Sequence, residues 1–127
     1  MNDLSSEEIY QAVGKIVSQF GLLECVQCAA TVLNWLDLQG IERKLLKLRT
    51  RYDFEDYIVS DRLEARGITE PITENGIHYG VQVGEKVFDN LSAYGMRLEE
   101  WLSDFHCPSE VFVIEEMDSF PERFEVQ

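Results

Sequence analysis

Apolar residues recur at helical spacing in two stretches near the start of the chain. After that they follow strand-like runs. Ile9, Val13, Ile16, Val17 and Phe20 lie three or four positions apart, which predicts a helix over residues 5–20. Ser5 with Glu8 three residues on reads as a capping box at its start, and Gly21 as its stop. A second helix is expected over residues 24–38. Cys25, Ala29, Val32, Leu33 and Leu36 form one face, Cys28 and Trp35 widen it, and Gly40 ends it. A helix apolar nearly all round belongs at the centre of a fold.

The pattern then shortens. Lys44 to Leu48 reads as a strand, and Tyr57-Ile58-Val59 as a short one. Pro71 breaks the chain and Asn75-Gly76 signals a turn. His78 to Val83 and Lys86 to Asn90 read as a hairpin joined at Gly84-Glu85. Met96 to Phe105 carries Leu98, Trp101, Leu102 and Phe105 at helical spacing. Val111 to Ile114 closes the series as a strand, and the acidic segment 115–127 is expected to be partly loose. Helices first and an antiparallel sheet afterwards define an α+β class. No internal repeat or linker interrupts the 127 residues, so one domain is expected, with its core over residues 5–114.

Strand parity gives the hairpin chemical content. A two-residue turn sets Val83 opposite Lys86, hence Asp89 opposite Gly80 and His78 opposite Leu91. His78, Gly80 and Asp89 then share a face, with Asp89 a diagonal neighbour of His78 at ~7–8 Å between backbones. Asn90 falls on the other face with Tyr79, and a three-residue turn would exchange Asp89 for Asn90 as the partner. Gly80 is expected to leave open space for a substrate backbone. A histidine on a strand is otherwise an ordinary structural residue, and Asp-Asn at a strand end ordinary turn chemistry.

Cys25 changes that balance. It lies in the first turn of the second helix, where unpaired N–H groups and the helix dipole lower a thiol's pKa. The same N–H groups, at Val26 and Gln27, suit an oxyanion. Cys28 lies a turn deeper and reads as a buried apolar residue. Two other arrangements use the same residues. Cys25 and Cys28 form a C-x-x-C that could cycle as a redox pair, although no strand leads into it as a thioredoxin-like unit requires. Cys25, Cys28, His106 and Cys107 could bind zinc, with adjacent His106 and Cys107 an awkward ligand pair.

Charge and composition narrow the partners. A formal net charge of −13 argues against a nucleic-acid surface, which needs a basic stripe. It suits a basic protein or peptide partner, and equally plain solubility. No run of about 18 apolar residues predicts a membrane span. The acidic N-terminus lacks the pattern of a cleaved signal. Three cysteines, an odd number, fit a reducing compartment, so the expected location is cytoplasmic.

Taken in order, Cys25-x-x-Cys28-Ala29, Gly40-Ile41, Asn75-Gly76-x-His78-Tyr79-Gly80-Val81, Val87-Phe88-Asp89-Asn90 and Trp101 resemble the papain-fold toxin domains of bacterial polymorphic toxin systems. The second group, papain fold toxin 2, is the most similar, and the resemblance runs from Phe20 to Phe105. It implies a papain-like cysteine hydrolase with Cys25 as nucleophile, His78 as base and Asp89 as orienting residue, acting without a cofactor. By the papain-type pattern, in which the second cysteine of a C-x-x-C is the nucleophile, Cys28 is the alternative; the helix position favours Cys25. Gln19 and Gln27 are the candidates for the glutamine such enzymes place before the nucleophile, and Tyr79 and Trp101 for cleft walls. Peptidase, glutamine deamidase and transglutaminase chemistry all remain open, and such toxins are delivered into another cell. The alternatives are a non-catalytic binding module of inhibitor or immunity type, or a thiol redox protein.

Overall fold

A computed structural model describes residues 3–120. Helix α1 spans Ser6–Val17 and α2 spans Cys25–Gln39. Strand β1 (Lys44–Thr50) follows, then β2 (Val59–Ser60), α3 (Asp61–Ala65), β3 (Ile77–Val83), β4 (Lys86–Asp89), β5 (Ser92–Met96), α4 (Leu98–Ser103), β6 (Phe105–His106) and β7 (Phe112–Met117). The main sheet has five strands in the order β5-β4-β3-β1-β7, every neighbour antiparallel, and β2 pairs with β6 apart from it.

The ends of the first two helices form for the expected reasons. Ser5 Oγ accepts from the Glu8 N–H at 3.1 Å, and Glu8 Oε1 accepts from the Ser5 N–H at 2.9 Å. At the other boundary Gly40 adopts φ 70°, a left-handed cap that a side chain would resist. α2 lacks a side-chain cap at its N-terminus, so its first-turn N–H groups keep their donor capacity.

Alternation along the strands sorts side chains into two cores. Leu45, Tyr79, Val81, Val83 and Phe88 face α1 and α2 and bury Val13, Val17, Cys25, Cys28, Ala29, Val32 and Leu36 with them. Leu46, Leu48 and Val87 face the other way, into a cluster with Leu63, Leu91, Trp101 and Phe105. At ~0.8 kcal/mol per buried CH₂, both layers contribute to stability. His78 lies opposite Leu48 on the second face.

Several elements differ from expectation. The short strand near Tyr57–Val59 is β2, displaced to Val59–Ser60, because Ile58 bridges to Thr73 instead. α3 and β5 were not expected at all. The acidic stretch taken as loose contributes Glu115, Glu116 and Met117 to β7, paired along β1; its last part, 121–127, lies outside the described residues. Among the described residues no helix is long and apolar enough to cross a membrane.

Candidate active site

The hairpin register follows parity: Val83 pairs with Lys86, Gln82 with Val87 and Val81 with Phe88. Beyond Val81 and Phe88 the ladder opens. His78 and Asp89 meet there, on the face opposite α2's apolar core. His78 Nε2 lies 3.0 Å from Asp89 Oδ2. Both side chains are buried, His78 completely. The imidazole stacks 6.0 Å from the Trp101 ring and lies tilted, 5.1 Å from that of Phe105.

Asp89 is held on every side. Its Oδ2 also accepts from Trp101 Nε1 at 2.9 Å and from Arg62 Nη2 at 2.9 Å. Its Oδ1 accepts from Arg62 Nη1 and from the Leu91 N–H, each at 3.1 Å. Burial, the largest influence, would push its pKa up. The hydrogen bond from His78 and the charge of Arg62 override that and hold the carboxyl well below the usual carboxylate range.

With Nε2 committed to Asp89, Nδ1 is the ring atom left over, and among the described residues it completes no hydrogen bond. The thiol whose charge bears on this ring belongs to Cys25. Burial is the strongest influence on Cys25 and pushes its pKa up. The nearby imidazole and charge of His78, helped by the Tyr79 main chain, outweigh it and hold the thiol below its ordinary value. His78 answers in kind. Burial, again the largest influence, pulls it down, yet Asp89 and Cys25 raise it to about 9. Cys28 lacks such a partner. Burial, then the charges of Asp89 and Cys25, pushes it up to about 12. Ionisation is therefore easier at Cys25 than at an ordinary thiol and harder at Cys28.

The remaining expected residues divide. Val26 and Gln27 occupy the uncapped first turn of α2, with Val26 buried and the Gln27 side chain exposed. Gln19 is exposed in the turn after α1 and makes no side-chain hydrogen bond to the site, so it is not brought to Cys25. Tyr79 is buried on the α2 face, its ring 4.8 Å from Phe120 and its main chain beside Cys25. Trp101 packs on the His78–Asp89 pair. It also fills the space expected beside Gly80, where an added Cβ would sit 2.8 Å from Trp101 Cζ2 and 3.0 Å from Val87 Cγ1. Gly80 is small for the indole, not for a substrate backbone. Asn90 does not replace Asp89; its Nδ2 donates to the Gly21 carbonyl at 2.8 Å, tying β4 to the segment that leads into α2. The three cysteines are free, and His106 is engaged by Asp61 and Glu110. Among the described residues no group of three or more His, Cys, Asp or Glu side chains is placed to hold a metal.

The segment before Cys25 borders two clefts. One, of about 470 Å³, is bounded by Leu22, Leu63, Ile68, Asn90 and Leu91. The other, of about 500 Å³, runs along Leu22, Leu23 and Tyr57 and is rimmed by Asp56, Glu70 and Glu74. Leu22 and Glu70 border both. Leu22 packs against the cluster that encloses His78. Leu23 holds φ 69°, left-handed backbone that costs a leucine ~1–2 kcal/mol.

Arg62 was invisible to sequence reasoning. It lies between Val59 and Pro71, where no element is expected, and its only sequence-level signal is general: a buried carboxylate needs a cation.

Four helices and an antiparallel five-stranded sheet make an α+β frame consistent with a papain-like fold. The Papain fold toxin 2 family model matches residues 8–106, and the chain belongs to that family. A search of curated proteins and a search of solved structures each returned no match.

Proposed function

We propose that this chain is a cysteine hydrolase of amide bonds, with Cys25 as nucleophile, His78 as acid and base and Asp89 as the residue that orients His78. The observation that carries the reading is the state of the His78 ring: Nε2 is bound to Asp89, Nδ1 completes no hydrogen bond among the described residues, and His78 lowers the pKa of the Cys25 thiol. The Cys25 thiolate attacks the amide carbonyl and forms a C–S bond. The developing oxyanion takes hydrogen bonds from the first-turn N–H groups near Val26 and Gln27. The C–N bond breaks as His78 gives its proton to the leaving amine, and water, deprotonated by His78, then releases the acid from the thioester. Asp89 keeps one tautomer in place and stabilises the imidazolium.

Peptidase and protein-glutamine deamidase chemistry differ only in which amide enters. The acidic rim at Asp56, Glu70 and Glu74 suits a protein or peptide with basic side chains beside that amide. Cys25 is only 1% exposed, His78 0% and Asp89 3%. Substrate access therefore requires a local rearrangement that exposes Cys25. That burial also favours a second reading, a binding module on the same frame.

A thiol-reactive amide-mimic probe tests the choice. Labelling at Cys25, unaffected by Cys28→Ala and suppressed by His78→Ala, supports the hydrolase. Equal, slow labelling of Cys25 and Cys28 sinks it and leaves the binding module.

A further inference from the structure

We propose that Arg62, backed by Asp104, is a positioning residue for Asp89. This rests on the reading of His78 as the base that serves Cys25. Arg62 grips Asp89 with both terminal nitrogens, at 2.9 and 3.1 Å, a bidentate fork that fixes the plane of the carboxylate. Its Nη1 also donates to Ser92 Oγ at 3.0 Å. The rest of the guanidinium faces Asp104: Nε donates to Asp104 Oδ2 at 2.8 Å. Asp104 is anchored in turn, its Oδ2 by Ser60 Oγ at 2.6 Å and its Oδ1 by the Arg62 N–H at 2.9 Å. The side chains of Arg62, Asp104 and Asp89 are 16%, 4% and 0% exposed, so solvent screens them weakly.

The arrangement has a definite electrostatic effect. Asp89, Arg62 and Asp104 together carry one net negative charge, which a protonated His78 neutralises. The ionisable groups that face this cluster are Cys25 and Cys28 from α2, His78 from β3, Asp89 from β4, Arg62 from α3 and Asp104 after α4. Arg62 therefore moderates how firmly Asp89 makes His78 hold its proton. Asp104 keeps Arg62 from cancelling Asp89 outright. Altering either residue moves the proton affinity of His78, in opposite directions.

NMR titration of the His78 imidazole in the full chain tests this, with His106→Gln to assign the two histidines. The wild-type midpoint is expected near 9, raised by Asp89 and Cys25 against the pull of burial. Arg62→Met leaves two carboxylates unbalanced and moves the His78 midpoint up by about one pH unit; Asp104→Asn moves it down by about as much. Arg62→Lys keeps the charge and returns the midpoint close to wild type. A merely structural Arg62 lowers thermal stability in these variants and leaves the midpoint unmoved, and that result overturns the proposal. If Arg62→Met does not fold, a midpoint in Asp104→Asn that stays put or rises overturns it equally. Failure of the hydrolase reading is separate: Cys25 then labels no faster than Cys28 while the midpoints still shift.

Discussion

Replacing Asp89 by asparagine keeps the shape of the side chain and removes its charge, so the cost follows from the hydrogen bonds it accepts. Oδ2 takes three donors, from His78, Trp101 and Arg62, and Oδ1 takes two, from Arg62 and the Leu91 N–H. The amide must point its NH₂ at one of these sets. The less costly choice is Oδ1, where two donors then face donors. Each buried donor left without a partner costs ~1–3 kcal/mol, and breaking a buried ion pair costs ~3–5 kcal/mol. Arg62 keeps Asp104, so the lower end applies: a loss of about 3 kcal/mol, or roughly 10–15 °C in melting temperature at this chain length. Urea unfolding followed by tryptophan fluorescence measures it, because Trp101 is buried against the substituted group. The sign with pH follows from Asp89's depressed pKa. Its stabilisation is present above the ordinary carboxylate value of ~3.9 and is lost as the pH falls below it. Asp89→Asn therefore flattens the acid limb of the stability curve. Amide hydrolysis falls ~10²-fold or more as His78 loses its orienting partner. A stability loss under about 1 kcal/mol with activity intact would refute the reasoning.

Two further outcomes follow from the same geometry. Turnover of a mixture of fluorogenic peptide amides should rise with pH as Cys25 ionises below its ordinary value, then fall as pH passes about 9, where His78 gives up the proton the leaving amine needs; an alkaline limb below pH 7 contradicts the pairing. Gly80→Ala should cost ~1–3 kcal/mol in thermal or urea unfolding, since its Cβ would meet Trp101 at 2.8 Å; a neutral substitution would mean the space beside Gly80 is open after all.

The chain announces what local physics controls. The Ser5–Glu8 cap and the parity of the hairpin are set within a few residues, and both appear in the structure; α2, expected to be apolar all round and central, instead buries one face and leaves Gln27, Thr31, Asn34 and Leu38 exposed. Parity alone paired His78 with Asp89. What was lost depends on distant partners. α3 is one short turn, too brief for a periodic pattern, and β5 carries Ser92, Tyr94 and Gly95 with no β-branched residue to mark it. Arg62 lies on α3, and its meaning arises only where Asp89 and Asp104 converge from later segments. Gly80 was misjudged for the same reason, since nothing near it in the chain tells that Trp101 lands there.

Asp89 ends β4 and Asn90 begins the turn after it, yet the two side chains bind different segments of the chain. Asp89 holds the histidine of the sheet, and Asn90 holds the Gly21 carbonyl ahead of α2. The Gly84-Glu85 turn is thus a ruler for both. One inserted residue would trade their faces, aiming an amide at His78 and a carboxylate at a carbonyl oxygen. The hairpin can vary in composition at its tip, but its length is part of the chemistry.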